Sequence, residues 1–415
     1  MSGWSSLKIK DLGRVVTGKT PPTEAKELFD GNELFVSPKD LSWDQYYVTE
    51  TETRISEKAF AKFKNQVLPA NTVMFTSLSF AFGKMGLTSR LSLTNQQINS
   101  IIVNNDHDFR FVFYLLKAYK KIIFSYNSGI DTPIVPKSVF EGIEVVCPAK
   151  ATQQKIAAIL STYDDLIANN RRRITLLERM AEDIYREWFV RLRFPGHENV
   201  KVEKGVPQGW RISEIGDVCL TLKRGIAPNY TESKTILVIN QRCIRDGFVD
   251  LAEARGHETK VSDEKLLRYG DVLINSTGVG TLGRVAVFDH ELTNATCDTH
   301  VTICRANHKE TAIHYLGQAI RSLQEHFESM AVGSTGQSEL GRDAIGRSTI
   351  LLPLLSLQKS FADAVEPMLQ RKRLLRRQTE ALATTRDSLL PRLISGKLSV
   401  DALAVRFPPG MATAD

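Results

Sequence analysis

The sequence predicts two mixed α/β domains separated by a long antiparallel two-helix coiled coil, built as an internal repeat with pseudo-two-fold symmetry. Two observations predict it. Residues 152–192 carry an apolar seam in alternating four- and three-residue steps: Ile156, Leu160, Tyr163, Ile167, Asn170, Ile174, Leu177, Ala181, Ile184 and Trp188. The same steps recur 205 positions later at Phe361, Val365, Met368, Lys372, Leu375, Thr379, Leu382, Arg386, Leu389 and Leu393, and Pro148 maps onto Pro353 under the same offset. A stripe this narrow cannot bury itself against a broad core, so each helix needs a partner of equal stride.

The boundaries follow in order. Residues 1–150 form a first α/β domain, 151–193 a central helical region, 194–209 a linker, 210–355 a second α/β domain, 356–400 a C-terminal helical region and 401–415 a flexible tail. In the first domain Glu33-Leu-Phe-Val, Thr72-Val-Met-Phe, Ile101-Ile-Val and Ile143-Glu-Val-Val read as strands, and Phe109 to Phe124 as a helix. Thr162 corresponds to Pro367, and proline is poorly placed inside a helix. The expectation is therefore a short helix, a break and a long helix in each copy, over 152–161 then 163–190 and over 357–365 then 367–395. The linker from Phe194-Pro-Gly-His to Gly205-Val-Pro-Gln-Gly209 is rich in turn residues. Trp210-Arg-Ile-Ser-Glu-Ile-Gly-Asp-Val then parallels Trp4-Ser-Ser-Leu-Lys-Ile-Lys-Asp-Leu-Gly, and Ser276-Thr-Gly-Val-Gly280-Thr-Leu-Gly283 parallels Ser79-Phe-Ala-Phe-Gly83-Lys-Met-Gly86. Elsewhere the two domains diverge, as one scaffold carrying two independent readers would. A second domain at the far end of the first helix makes the second helix run back antiparallel. Polar Asn170, Lys372 and Arg386 at seam positions then fix register and orientation.

At 415 residues the chain is too long for one ordinary core, and 42% hydrophobic with 24% charged residues is a globular composition. A net charge of +7 leans toward a polyanionic partner. Much of it is local: the second helix carries Lys359, Arg371, Lys372, Arg373, Arg376, Arg377, Arg386 and Arg392 against four carboxylates, either a solvated face or one that meets phosphate or a partner. Five widely spaced cysteines with no Cys-x-x-Cys pair suit reduced thiols in a cytoplasm. Cys297, His300 and Cys304 lack the further ligand a zinc site needs, so no metal is expected. No run is long and apolar enough for a membrane span, and the N-terminus lacks a signal-peptide pattern.

Gly13-Arg-Val-Val-Thr-Gly18-Lys19-Thr20 fits the phosphate-loop spelling, but Pro21 and Pro22 follow where a helix must begin. Gly278-Val-Gly280-Thr-Leu-Gly283 has dinucleotide-loop spacing, yet the strand-like Arg284-Val-Ala-Val-Phe follows it, so a tight turn fits better. No catalytic constellation, cofactor loop or Asn/Asp-Pro-Pro-aromatic pocket stands out, and the chain reads as a binder. A DNA reader needs amides, hydroxyls and cations on loops, because Asn and Gln pair bidentately with adenine, Arg and Lys with guanine. The first domain offers Lys19, Thr20, Lys39, Ser77, Ser79, Lys84, Asn95, Gln96, Gln97 and Asn127. The second offers Lys223, Arg224, Asn240, Gln241, Arg242, Asn275, Ser276, Arg284 and Gln337.

Gly18-Lys-Thr-Pro21, Ser37-Pro-Lys-Asp-Leu41, Pro69-Ala-Asn-Thr-Val through Phe82-Gly-Lys-Met-Gly86, and Asn95-Gln-Gln-Ile98 together resemble the target-recognition domain of type I restriction-modification specificity subunits. Gln153-Gln-Lys-Ile-Ala-Ala-Ile-Leu160, Glu187-Trp-Phe-Val190 and Leu389-Leu-Pro-Arg-Leu-Ile-Ser-Gly-Lys-Leu398 resemble that family's conserved helical regions. The resemblance implies a non-catalytic subunit with two target-recognition domains, each reading half of a split double-stranded DNA site, the helices measuring the spacer. It implies two modification subunits that bind S-adenosylmethionine and methylate adenine at N6, and two ATP- and magnesium-dependent restriction subunits in the full complex. The second domain departs from the pattern, having Lys223-Arg-Gly-Ile-Ala-Pro and Cys297-Asp-Thr-His300 at roughly the places of Gly-Lys-Thr-Pro and Asn-Gln-Gln-Ile. The competing readings are a nucleotide-dependent enzyme using Gly13–Thr20 and a scaffold that reads no DNA.

Overall fold

The computed structural model describes residues 3–43, 46–78, 81–127, 134–233, 235–245, 247–278, 280–330, 339–408 and 411. The chain divides into two compact units, residues 1–171 with 377–415, and residues 172–376. The helical regions are thus shared between the units.

In the first unit β1 (Trp4–Lys8), β2 (Gly13–Thr17), β3 (Glu33–Val36), β4 (Tyr47–Val48), β5 (Thr53–Ile55), α1 (Glu57–Lys62), β6 (Val73–Thr76), β7 (Met85–Thr88), β8 (Ser92–Thr94) and β9 (Ile98–Val103) precede α2 (Phe109–Ser125), α3 (Lys137–Gly142) and β10 (Glu144–Pro148). Three sheets result, in the orders β2-β9-β6-β7-β4, β5-β3-β8 and β1-β10. Continuous apolar runs such as Val73-Met-Phe are buried on both faces, and α2 lays Phe111 to Leu116 into the core beside them. Asp108 caps α2, accepting from the backbone N–H groups of Arg110 and Phe111.

The second unit opens with a hairpin of β11 (Val202–Glu203) and β12 (Val206–Pro207), whose turn residues Lys204 and Gly205 both have positive φ. After it come β13 (Arg211–Glu214), α5 (Ile215–Val218), β14 (Cys219–Arg224), β15 (Tyr230–Thr231), β16 (Ile236–Ile239), β17 (Ile244–Arg245), β18 (Phe248–Val249), β19 (Arg255–His257), β20 (Val272–Asn275), β21 (Val285–Val287), β22 (Ala295–Cys297) and β23 (Val301–Ala306). Then follow α6 (Ile313–Arg321), α7 (Gln324–Met330), α8 (Arg342–Arg347) and β24 (Thr349–Leu352). Its sheets run β14-β23-β20-β21-β18-β17, β15-β19-β16-β22 and β13-β24. The central strands match those of the first unit in order and direction, although the sequences diverge.

The two long helices, α4 (Lys150–Tyr185, continued by a π-helical turn at Arg186–Val190) and α9 (Leu355–Ile394), each pass from one unit into the other. Their starts are built alike. Buried Gln153 donates to the Pro148 carbonyl at 2.9 Å and accepts from the Asp108 N–H at 3.1 Å. Gln358, 205 positions later, donates to the Pro353 carbonyl at 2.9 Å and accepts from the Ala312 N–H at 2.9 Å. In each unit the helices run antiparallel. Lys155 reaches the Asp401 carbonyl and Asp164 meets Arg386 in the first, while Glu178 meets Lys372 and Phe189 meets Phe361 in the second.

The expected breaks are absent: α4 and α9 are continuous through Thr162 and Pro367. Pro367 and Pro391 both lie on exposed positions, where water can solvate the carbonyl each proline leaves unbonded and the helix can bend without unpacking. Of the seam residues, Ile156, Leu160, Ile167, Asn170, Ala181, Phe361, Val365, Leu375 and Leu393 are buried, with Tyr163, Ile174, Leu177, Ile184, Trp188, Met368, Leu382 and Leu389 half-buried. The cationic face of α9 is largely occupied. Lys372 pairs with Glu178 at 3.1 Å, while Arg376 pairs with Asp289 and Arg373 with Glu366 at 2.7 and 3.0 Å. Among the described residues no helix is long and apolar enough to cross a membrane.

Candidate nucleic-acid interface

Each unit assembles one loop cluster where four strands end. In the first, residues after β2, β3 and β6 meet the loop from β8 to β9. The Gly18 N–H donates to the Ile98 carbonyl at 3.2 Å, Asn95 to Val36 at 3.0 Å and Ser77 to Gln97 at 2.9 Å. The Asn95 side chain closes the loop on itself, accepting from the Gln97 N–H at 3.1 Å. Gly18 is required by proximity, since a Cβ there would sit 2.2 Å from the carbonyl oxygens of Thr94 and Asn95.

The second unit repeats this bond for bond. Gly225 donates to Val301 at 3.2 Å, Asp298 to Ile239 at 3.0 Å and Ser276 to His300 at 2.8 Å, and the His300 N–H donates to the Asp298 carboxylate at 2.9 Å. Burial pushes the Asp298 carboxyl above its ordinary range, against the pull of His300. A Cβ on Gly225 would sit 1.9 Å from the Cys297 carbonyl oxygen. Gly225 therefore stands where Gly18 does, and Asp298-Thr299-His300 where Asn95-Gln96-Gln97 does.

The glycine-rich turns align differently from the sequence parallel. Gly83 donates to the Thr76 carbonyl and Thr76 to that of Lys84; Gly283 donates to Asn275 and Asn275 to Arg284. Gly283, not Gly280, is the counterpart of Gly83, because the second turn is one residue longer while both close on a glycine of positive φ. Lys84 and Arg284 thus occupy equivalent places.

Among the first unit's candidates, Lys19, Thr20 and Gln96 are exposed, with Asn95 and Gln97 half-buried. Thr20 donates to Gln96 Oε1 at 2.7 Å, and the Lys19 ammonium lies 5.9 Å from the Phe63 ring centre. Lys84 reaches the Pro38 carbonyl at 3.4 Å, and Lys39 pairs with Glu52 in the open. Ser77 is buried and gives both its N–H and its hydroxyl to the Gln97 carbonyl, so it supports the loop rather than facing a ligand. Asn127 finishes α2, donating to the Phe124 carbonyl at 2.6 Å. Ser79 lies outside the described residues.

In the second unit, Lys223 pairs with Glu264, and Arg224 with Glu339 at 2.7 Å and with the Thr299 and Leu340 carbonyls. Asn240 caps the following turn through the Arg242 N–H and donates to the Glu253 carbonyl, leaving Arg242 exposed. Arg284 donates to the Gly280 carbonyl at 2.9 Å. Asn275 and Ser276 are wholly buried: Asn275 donates to the carbonyls of Gln241 and Thr281, and Ser276 meets Thr302 at 2.6 Å. These hold the loops together, so a base edge does not reach them. Gln337 lies outside the described residues.

Two features needed the fold. Thr299 and His300 are exposed at the tip of the second cluster, and the fold shifts the sequence match of Cys297-Asp-Thr-His300 with Asn95-Gln-Gln-Ile98 by one residue, aligning them with Gln96 and Gln97. In the first unit, exposed Trp43 carries the Lys120 ammonium 3.5 Å from its ring centre. Cys297 and Cys304 are buried in the sheets, whereas His300 faces Thr277 on the exposed loop. Gly13–Thr17 is a β-strand paired to β9, so its amides do not form the nest that a phosphate loop requires.

The model of the type I restriction modification DNA specificity domain matches residues 1–179 and again 207–383. The specificity subunit of the type I restriction enzyme MjaIX of Methanocaldococcus jannaschii is 26% identical over 413 residues, covering 96% of this chain and 94% of that protein. That of MjaVIII, from the same organism, is 22% identical with the same coverages. A crystal structure of the type I restriction-modification S subunit from M. genitalium shares the fold, with a TM-score of 0.56 at 15% identity over 94% of this chain and 96% of that one. The duplicated loop cluster coincides with the two matched segments, and the chain belongs to the type I restriction-modification DNA specificity family, the DNA-recognising and non-catalytic subunits of those systems.

Proposed function

We propose that each unit reads one half of a bipartite double-stranded DNA site, and that α4 and α9 together set the number of unspecified base pairs between the halves. The observation that carries this reading is one loop architecture built twice with different exposed side chains: amides and a lysine in the first unit, a threonine, an imidazole and guanidinium groups in the second. Equal scaffolds with unequal tips suit two different half-sites. The chain supplies no chemistry of its own on this reading. It recruits two modification subunits, which use S-adenosylmethionine to methylate adenine at N6, and through them two restriction subunits that use ATP and magnesium, in the cytoplasm.

The test is insertion of one heptad into both helices, at Arg171/Arg172 and at Arg376/Arg377, where each passes between units. Seven residues add about 10 Å of helix at 1.5 Å per residue, roughly three base pairs. Methylation mapping of cells expressing the insertion with its partner subunits is expected to show a longer spacer and unchanged half-sites. Changed half-sites with an unchanged spacer refute the arrangement.

A further inference from the structure

We infer that Thr299 and His300 are the base-reading pair of the second unit, the counterparts of Gln96 and Gln97, and that they make the second half-site differ from the first. This rests on the DNA-reading role proposed above. The positional argument is the set of four matched hydrogen bonds that places Asp298-Thr299-His300 over Asn95-Gln96-Gln97. The accessibility argument is exposure: of the polar groups that close the second cluster, Asn275, Ser276 and Asp298 are buried and Arg224 is bound to two carbonyls and Glu339, while Arg242 is exposed on the separate turn after β16. Thr299 and His300 are exposed at its tip.

The chemistry of the two tips then separates what they can read. Thr20 donates to Gln96 Oε1, which leaves the Gln96 amide group and its second lone pair to meet a base. A glutamine amide offers a donor and an acceptor side by side, the pattern that pairs with adenine N6 and N7. His300 has its Nδ1 against the Thr277 hydroxyl at 2.6 Å, so a single nitrogen, Nε2, is left to face a base. One nitrogen is donor or acceptor, not both at once, and cannot copy the glutamine pattern. Thr299 adds a hydroxyl and a methyl group, which suits contact with a thymine methyl. Thr299 also lines an open groove of about 610 Å³ in which Lys223, Arg224 and Arg342 are paired with Glu264, Glu339 and Asp343 and Lys265 donates to the Gly225 carbonyl.

The experiment uses the full chain assembled with its modification subunits, selecting bound sites from a random duplex pool. Thr299→Gln with His300→Gln is expected to change preference about tenfold or more at one or two positions of a single half-site, the scale of one bidentate contact. The other half-site and the spacer stay as in the wild type, which also shows that the variant is folded. The reverse exchange, Gln96→Thr with Gln97→His, is expected to alter the opposite half-site and serves if the first variant does not fold. Wild-type preferences in both variants, with binding intact, overturn the inference and leave the proposed function standing. A wild-type assembly that selects no split motif overturns the proposed function itself.

Discussion

Replacing Arg386 by alanine removes a cation bonded to a carboxylate, that of Asp164, which is almost fully enclosed. The Arg386 guanidinium donates to Asp164, Tyr114 donates to the other oxygen of the same carboxylate, and the two charged side chains are 1% and 4% exposed. Removing one partner of such a pair costs roughly 3 to 5 kcal/mol, because the remaining charge is buried without compensation. Asp164→Leu should cost a similar amount, since the guanidinium loses its enclosed partner while Asp387, its other carboxylate, is exposed to water. The double variant is the informative one. Under the 205-residue offset the counterparts of Asp164 and Arg386 are Leu369 and Ala181, so the second unit already holds the apolar version of this pair, packed in its core. Asp164→Leu with Arg386→Ala should therefore lie within about 1 to 2 kcal/mol of the wild type, the residue being the Tyr114 hydroxyl that loses its acceptor. Adding Tyr114→Phe should recover most of that. Urea titration of the first unit, followed by Trp4 and Trp43 fluorescence in a chain with Trp188 and Trp210 replaced by phenylalanine, gives the cycle. Single variants costing under about 1 kcal/mol, or a double variant costing the sum of its singles, would refute the reasoning.

Acid should weaken the second unit through Asp289. Burial alone would raise its pKa, but Lys372 at 2.7 Å, an ionic contact rather than a well-directed hydrogen bond, and Arg376 at 2.7 Å override it and hold the carboxyl at about 2. The folded pKa lies below the unfolded value of 3.8, so the contribution is fully present above about pH 4 and disappears as pH falls toward 2. It amounts to about 2 kcal/mol, and Asp289→Asn should flatten that part of the thermal-stability profile of the second unit; an unchanged acid limb counts against it. Gly225→Ala would drive a methyl group against the Cys297 carbonyl at 1.9 Å, and Gly18→Ala one against Thr94 and Asn95 at 2.2 Å. Each should loosen its own loop cluster by about 1 to 3 kcal/mol, seen as faster amide exchange at residues 298–300 or 95–97 respectively and unchanged exchange in the other cluster.

Local pattern carried much of this protein into view. Alternating apolar steps gave both long helices, the 205-residue offset was exact enough to align Gln153 with Gln358 and Pro148 with Pro353, and runs such as Val73-Met-Phe gave strands. These signals are legible because helix and strand periods are properties of neighbouring residues. The tertiary structure alone decided what depends on distant ones. It gave Lys372 and Arg386 their partners Glu178, Asp289 and Asp164, and took Ser77, Asn275 and Ser276 out of the reading surface by burying them. It also kept α9 helical through Pro367, because that residue faces water. Finally, it moved the match of Cys297-Asp-Thr-His300 with Asn95-Gln-Gln-Ile98 by one residue, placing Thr299 and His300 over Gln96 and Gln97, because the register is set by hydrogen bonds to distant strands and not by neighbouring residues.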